Sequence, residues 1–132
     1  QMLDVHQAEL GELPFRRARH AVTETLRVQE AESAMAGGKL QELGEILNAS
    51  HASLRDDFMV SCNELDFLQQ TAVQTLGVYG SRMVGGGFGG CTISLVDPAM
   101  LDEVRGVLEC HVYNTGRSKA RRFLREIDSS SP

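Results

Sequence analysis

The chain has 132 residues, 42% of them hydrophobic, with 13 Lys and Arg against 18 Asp and Glu for a net charge of −5. This is the composition of one ordinary globular domain, long enough to bury a core. It excludes a membrane-spanning helix, since no run of about 18 apolar residues occurs, and it speaks against a general nucleic-acid binder, which would carry a dominant basic face.

The chain opens at Gln1 with no signal-peptide pattern and reads as an internal or C-terminal piece of something longer. Residues 14 to 36 are expected to form a long helix. Pro14 suits the first turn, and Phe15, Ala18, Val22, Leu26 and Ala34 recur at helical spacing until Gly37-Gly38. A second helix over 39–52 carries Leu40, Leu43 and Leu47 on one face, which makes an αα-hairpin. Asp56-Asp57 reads as helix termination with local ion pairing rather than a metal site, because two carboxylates alone rarely hold a cation.

Ser61 and Glu64 have the spacing of a capping box and start a third helix. Its buried stripe is expected at Leu65, Leu68, Ala72 and Leu76, with Gly77 as its end. A short strand over 78–84 leads into "GGGFGG" (85–90), and "CTISLV" (91–96) reads as a buried strand. Arg82, on the first strand, is assigned to a structural ion pair. Asp97-Pro98 is an N-cap followed by Pro at the first helical position, and Leu101, Val104 and Leu108 form the inner face of the helix that follows. The order predicts an α+β fold, with helices packed on one face of a small antiparallel sheet.

Cys62, Cys91 and Cys110 are odd in number and show no CxxC spacing, so buried thiols in a reducing compartment are expected. His6, His20, His51 and His111 have no ligand spacing either. Five of the basic residues, Arg117, Lys119, Arg121, Arg122 and Arg125, crowd into 117–125 and are assigned to a solvated helix face.

Five glycines in six positions exceed what a hairpin turn requires, and each ordered glycine costs roughly 0.5–1 kcal/mol relative to alanine. Either several of them adopt a backbone conformation closed to other residues, or something must approach the loop closely. The loop lacks the Gly-Lys-Ser/Thr ending of a Walker loop and precedes a strand rather than a helix, so it is not a dinucleotide fingerprint.

"SRMVGGGFGGCTISLV" resembles the third signature motif of the GHMP small-molecule kinases in its galactokinase form. "SHASLRDDFMVSCNELD" (50–66) resembles the segment that precedes that motif, and "FRRARH" (15–20) resembles the start of the helix before it. The likeness runs from about residue 2 to Gly116 and covers about the last third of such an enzyme. It implies a cytoplasmic kinase that moves the γ-phosphoryl group of MgATP to the C1 hydroxyl of galactose. ATP and Mg²⁺ are the implied cofactors, and the N-terminal GHMP domain is the implied partner, with neither nucleic acid nor membrane. It assigns Gly85, Gly86, Gly87, Gly89 and Gly90 to support of the nucleotide phosphate loop, and it gives Ser50, Arg55 and Asp56 a family likeness without a contact. No catalytic residue and no metal ligand is carried over, because those groups lie upstream in the family. Residues 1–128 are expected to be the GHMP kinase C-terminal domain, with 129–132 a disordered tail. An N-acetylgalactosamine kinase, a non-catalytic galactose and ATP sensor, and a lone binding module remain alternatives. Two departures stand out: Val84 replaces the usual Thr, and "RSKARRFLREIDSSSP" replaces the usual final strand.

Overall fold

The computed structural model describes the backbone of residues 5–114 and the side chains of 5–110. The expectations for 117–125 and for a disordered 129–132 lie outside the described residues. A helical turn, Gln7–Leu10, precedes the long helix α1 (Glu12–Ala36). Helix α2 (Leu40–Ser53) runs into a single π-helical turn, Leu54–Phe58, and α3 spans Asn63–Gln74. Strands β1 (Val78–Val84) and β2 (Cys91–Val96) form an antiparallel pair, and a 3₁₀ turn, Pro98–Met100, opens α4 (Leu101–Asn114). The expected α+β layout is the observed one.

The punctuation follows local chemistry. Helix α1 ends where Gly37 and Lys39 N–H groups return to Ser33 and Ala34 carbonyls, and Gly38 at φ 65° turns the chain into α2. The Asp97 carboxylate accepts from the Ala99 N–H at 2.9 Å, with Pro98 at the first turn position.

Five local expectations need correction. The capping box at Ser61 does not form: α3 starts after Cys62 with no side-chain cap, and the Ser61 hydroxyl instead donates to Asp66 at 2.6 Å. The helix begins one residue later than that box requires, with Cys62 in the N-cap position. Leu76 is 79% exposed because α3 stops at Gln74. On α1, Phe15 and Ala34 are buried, whereas Val22 and Leu26 are about half exposed, since the mid-helix face turned inward carries Glu24 and Arg27. Strand β2 is not buried throughout: Ile93 is 47% exposed, on the same sheet face as the exposed Cys91 two residues before it. The thiols are free, as expected, yet Cys91 and Cys110 are exposed and Cys62 is half-buried.

The contact that organises these elements is between α2 and β1. A Cβ on Gly44, in the middle of the helix, would collide with the Tyr79 carbonyl, and one on Gly80 would collide with the carbonyl of Gly44. Helix backbone therefore lies directly on strand backbone, and the β-bulge between Val78 and Gly80 falls at this crossing. One and two turns further along the same helix face, Asn48 Oδ1 accepts from the Ser81 N–H at 2.9 Å, and His51 Nδ1 accepts from the Met83 N–H at 3.1 Å. These side chains take the strand-edge donors that a third strand would otherwise take. Leu54, Leu65 and Met83 form the apolar cluster beneath, with Val60 and Cys62 packed against it.

The crossing yields a direct test. Gly80→Ala is expected to lower the unfolding free energy by about 3 kcal/mol, the scale of overpacking against backbone that cannot yield. Gly106→Ala, on an open face of α4, is expected to stabilise by roughly 0.5–1 kcal/mol through helix propensity. Denaturant unfolding of the two variants checks the contrast.

Candidate functional site

Strand β1 delivers the chain into the glycine loop and β2 takes it away, with Val84 paired to Cys91 at the loop's neck. Four of the five loop glycines lie in the left-handed half of backbone space: Gly85 at φ 96°, Gly87 at 85°, Gly89 at 136° and Gly90 at 113°. The conformational expectation for the loop is thus met at four positions. Gly87 has a second reason, because a Cβ there would strike the Val60 carbonyl and come within 2.8 Å of the Val60 Cβ.

Gly86 differs from the others. It is not in the left-handed region, and a Cβ on it would meet nothing within 4 Å. Among the described residues, neither a left-handed φ nor crowding requires glycine there. Phe88, two residues on, has φ 57°, a strained value for a bulky residue, and is 76% exposed. Its N–H donates to the Val60 carbonyl at 2.7 Å, which fastens the loop's centre.

Around the loop's base lies a polar network. His51 is fully buried; its Nδ1 accepts from Met83 N–H, so its proton is on Nε2 and donates to Asp66 Oδ1 at 3.1 Å. Burial pushes the His51 pKa below its ordinary value of 6.5 and outweighs the upward pull of Asp66. On the other side of α2, burial pushes Glu24 upward, but the Ser50 hydroxyl at 2.7 Å and the Arg27 and Arg82 guanidinium groups more than offset it, leaving its carboxyl below the usual range. Arg82 thus forms the structural ion pair expected of it, 3.6 Å from Glu24.

Ser50 is a buried donor in that network. Arg55 and Asp56 pair with each other on the surface, and Asp57 pairs with Arg19, so the two aspartates do not converge. No group of three His, Cys, Asp or Glu side chains capable of holding a metal occurs among the described residues. The sequence reading missed Val60, Asn48 and the His51–Asp66 pair. A signal was present in Gly44 and Gly80, glycines inside a helix and a strand, which mark close backbone approach.

Residues 31–114 match the family described as GHMP kinases C terminal. A galactokinase from Roseiflexus sp. is 47% identical over 127 residues, covering 96% of this chain and 32% of its own length. The Lactococcus lactis galactokinase structure, complexed with galactose, superposes with a TM-score of 0.80 at 43% identity, over 87% of this chain and 30% of that one. The L. major mevalonate kinase, in complex with R-mevalonate, superposes at 0.67 with 31% identity, over 81% of this chain and 32% of that one. The chain therefore spans about a third of the length of the relatives it matches.

The histidine geometry gives a test with a definite sign. Nitrogen-15 NMR is expected to show His51 as the Nε2–H tautomer, titrating below 6.5. Because its folded pKa is depressed, the stability it contributes is present above the unfolded value and is lost as pH falls through the folded one. Unfolding free energy measured downward from pH 7 should fall in that window, and less so in His51→Gln.

Proposed function

We propose, on the premise that this chain belongs to the GHMP kinase family, that it is the C-terminal domain of a galactokinase, formed by residues 1–128. The whole protein then transfers the γ-phosphoryl group of MgATP to the C1 hydroxyl of galactose. Gly85, Gly86, Gly87, Gly89 and Gly90 are its contribution to the nucleotide phosphate site. The identities to galactokinases support the sugar, whereas the likeness to a mevalonate kinase supports only the shared family fold.

One observation carries the loop's role: among the described residues, Gly86 has neither a left-handed φ nor a crowding neighbour that would require glycine. A bare position on a fastened loop suits close approach by a group from outside the chain. Phosphoryl transfer asks a protein mainly for positioning and electrostatic stabilisation. A loop whose centre is bonded to Val60 offers a fixed backbone surface for a neighbouring phosphate-binding segment. ATP bound as MgATP supplies the phosphoryl group. Mg²⁺ is the implied companion of the nucleotide, and the part proposed for this chain is loop backbone beside the phosphates. We place the protein in the cytoplasm, as the galactokinase likeness implies.

Incubating the whole protein with MgATP and galactose should yield galactose 1-phosphate, and the 132-residue chain alone should yield none. Gly86→Ala in the whole protein is expected to leave thermal stability unchanged while lowering kcat/KM about tenfold or more, the effect of misplacing reacting groups. Full activity in that variant would remove the loop from the phosphate site. Product formed from N-acetylgalactosamine and not from galactose would reassign the substrate.

A further inference from the structure

Between its two strand ends the glycine loop is fastened, among the described residues, at the Val60 carbonyl, which both accepts the Phe88 N–H and fills the space beside Gly87. What holds Val60 therefore holds the loop's centre. Its N–H donates to the Leu54 carbonyl at 3.0 Å, across the whole π-helical turn. Met59, between them, takes φ 62°, the left-handed value that swings the chain out of the turn and towards the loop. π-Turns are uncommon and occur mostly as single turns at functional positions.

The turn is itself tied to α1 by two side chains. Asp57, nearly buried, receives Arg19 in a two-pronged pair, with Nε at 3.1 Å from Oδ2 and Nη2 on Oδ1, and it also accepts from the Ser53 hydroxyl at 3.3 Å. Phe58, the last residue of the turn, stacks on His20 with ring centroids 4.7 Å apart, and His20 Nδ1 lies 2.9 Å from Ser53 Oγ. Consecutive residues of α1 thus hold consecutive residues of the turn. Neither Asp57 nor Phe58 belongs to the apolar cluster of Leu54, Leu65 and Met83, to which the turn contributes only its first residue.

We propose that the Leu54–Phe58 turn is a strut that sets the position of the glycine loop, with Arg19 and Asp57 as its positioning residues. The chain of contacts is Arg19 to Asp57, the turn to Val60, and the Val60 carbonyl to the Phe88 N–H. The consequence for phosphoryl transfer rests on the functional reading above, whereas the mechanical coupling does not. A two-pronged guanidinium–carboxylate pair fixes orientation as well as distance, which a single ammonium cannot do.

The test uses the whole protein with Arg19→Gln, Arg19→Lys and Asp57→Asn. Native-state amide exchange is read at Phe88 and, as a reference, at Val104 in α4. Loss of one charge-assisted pair should speed exchange at Phe88 about tenfold with Val104 unchanged, since local opening there costs correspondingly less. In the same variants kcat should fall about tenfold with the KM for galactose within about twofold, because the loop bears on the transfer and not on the sugar. Arg19→Lys, which keeps the charge without the fork, should fall between wild type and Arg19→Gln on both readouts. Unchanged Phe88 exchange in Arg19→Gln, or equal acceleration at Phe88 and Val104, overturns the strut. If Asp57→Asn does not fold, the two Arg19 variants decide the matter alone. Altered Phe88 exchange in a protein that phosphorylates no sugar would uphold the strut and reject the functional reading.

Discussion

Helix α2 lies against β1 with no side chain between them at Gly44 and Gly80, and the rest of the molecule is arranged around that contact. Two alanines in place of these glycines would push the helix away by more than a hydrogen bond can stretch. At the observed distance, Asn48 and His51 reach the Ser81 and Met83 N–H groups and close the strand edge. An open edge is a pairing hazard, and burying one without partners costs roughly 1–3 kcal/mol per orphaned group. The helix therefore serves as the sheet's third member through its side chains.

That arrangement explains why the interior is so polar. Ser50, His51, Ser53, Asp57, Gln69, Thr71 and Ser81 are buried beside Phe15, Leu54, Leu65 and Met83. Every buried side-chain nitrogen and oxygen among the described residues has a partner. Gln69 completes the edge by donating to the Ser81 carbonyl at 3.2 Å, while Ser81 and Ser94 hydroxyls link the strands. A fully paired network of this kind defines one register, because a one-residue slip of β1 would orphan several of its members at once. The loop that leaves β1 inherits that fixed register at Val84 and a second anchor at Val60.

The element boundaries were legible because glycine and proline write them locally: Gly37-Gly38 ends α1, and Asp97-Pro98 opens the turn before α4. Helical spacing on α1 identified Phe15 and Ala34 but also promoted Val22 and Leu26, since periodicity gives a face without saying what covers it. Ser61 shows a different limit. The spacing to Glu64 offers a cap, but α3 starts one residue later, with Cys62 in the N-cap position, and the Ser61 hydroxyl is turned to Asp66. The crowding of glycines in the loop was readable as a backbone demand, and four left-handed values answer it. Which glycine meets neighbouring chain was not readable, because Val60 reaches Gly87 only through the π-turn and the left-handed Met59. The segment resemblance to galactokinases was legible in three motifs, two of them within the family match over 31–114, and agrees with the 47% identity to a galactokinase over 127 residues.

Together these features describe a domain that fixes the backbone of one loop from two sides, by strand register at its neck and by a carbonyl at its centre. The claim beneath all of this is that side chains of α2 act as the partner strand of β1. Amide exchange at Ser81 and Met83 tests it most directly. Asn48 and His51 should hold both amides to the slowest class in the domain, exchanging only on global unfolding, and Asn48→Ala should release Ser81 while Met83 stays protected. Exchange of both amides at the rate of exposed loop residues in the unaltered protein would contradict the account.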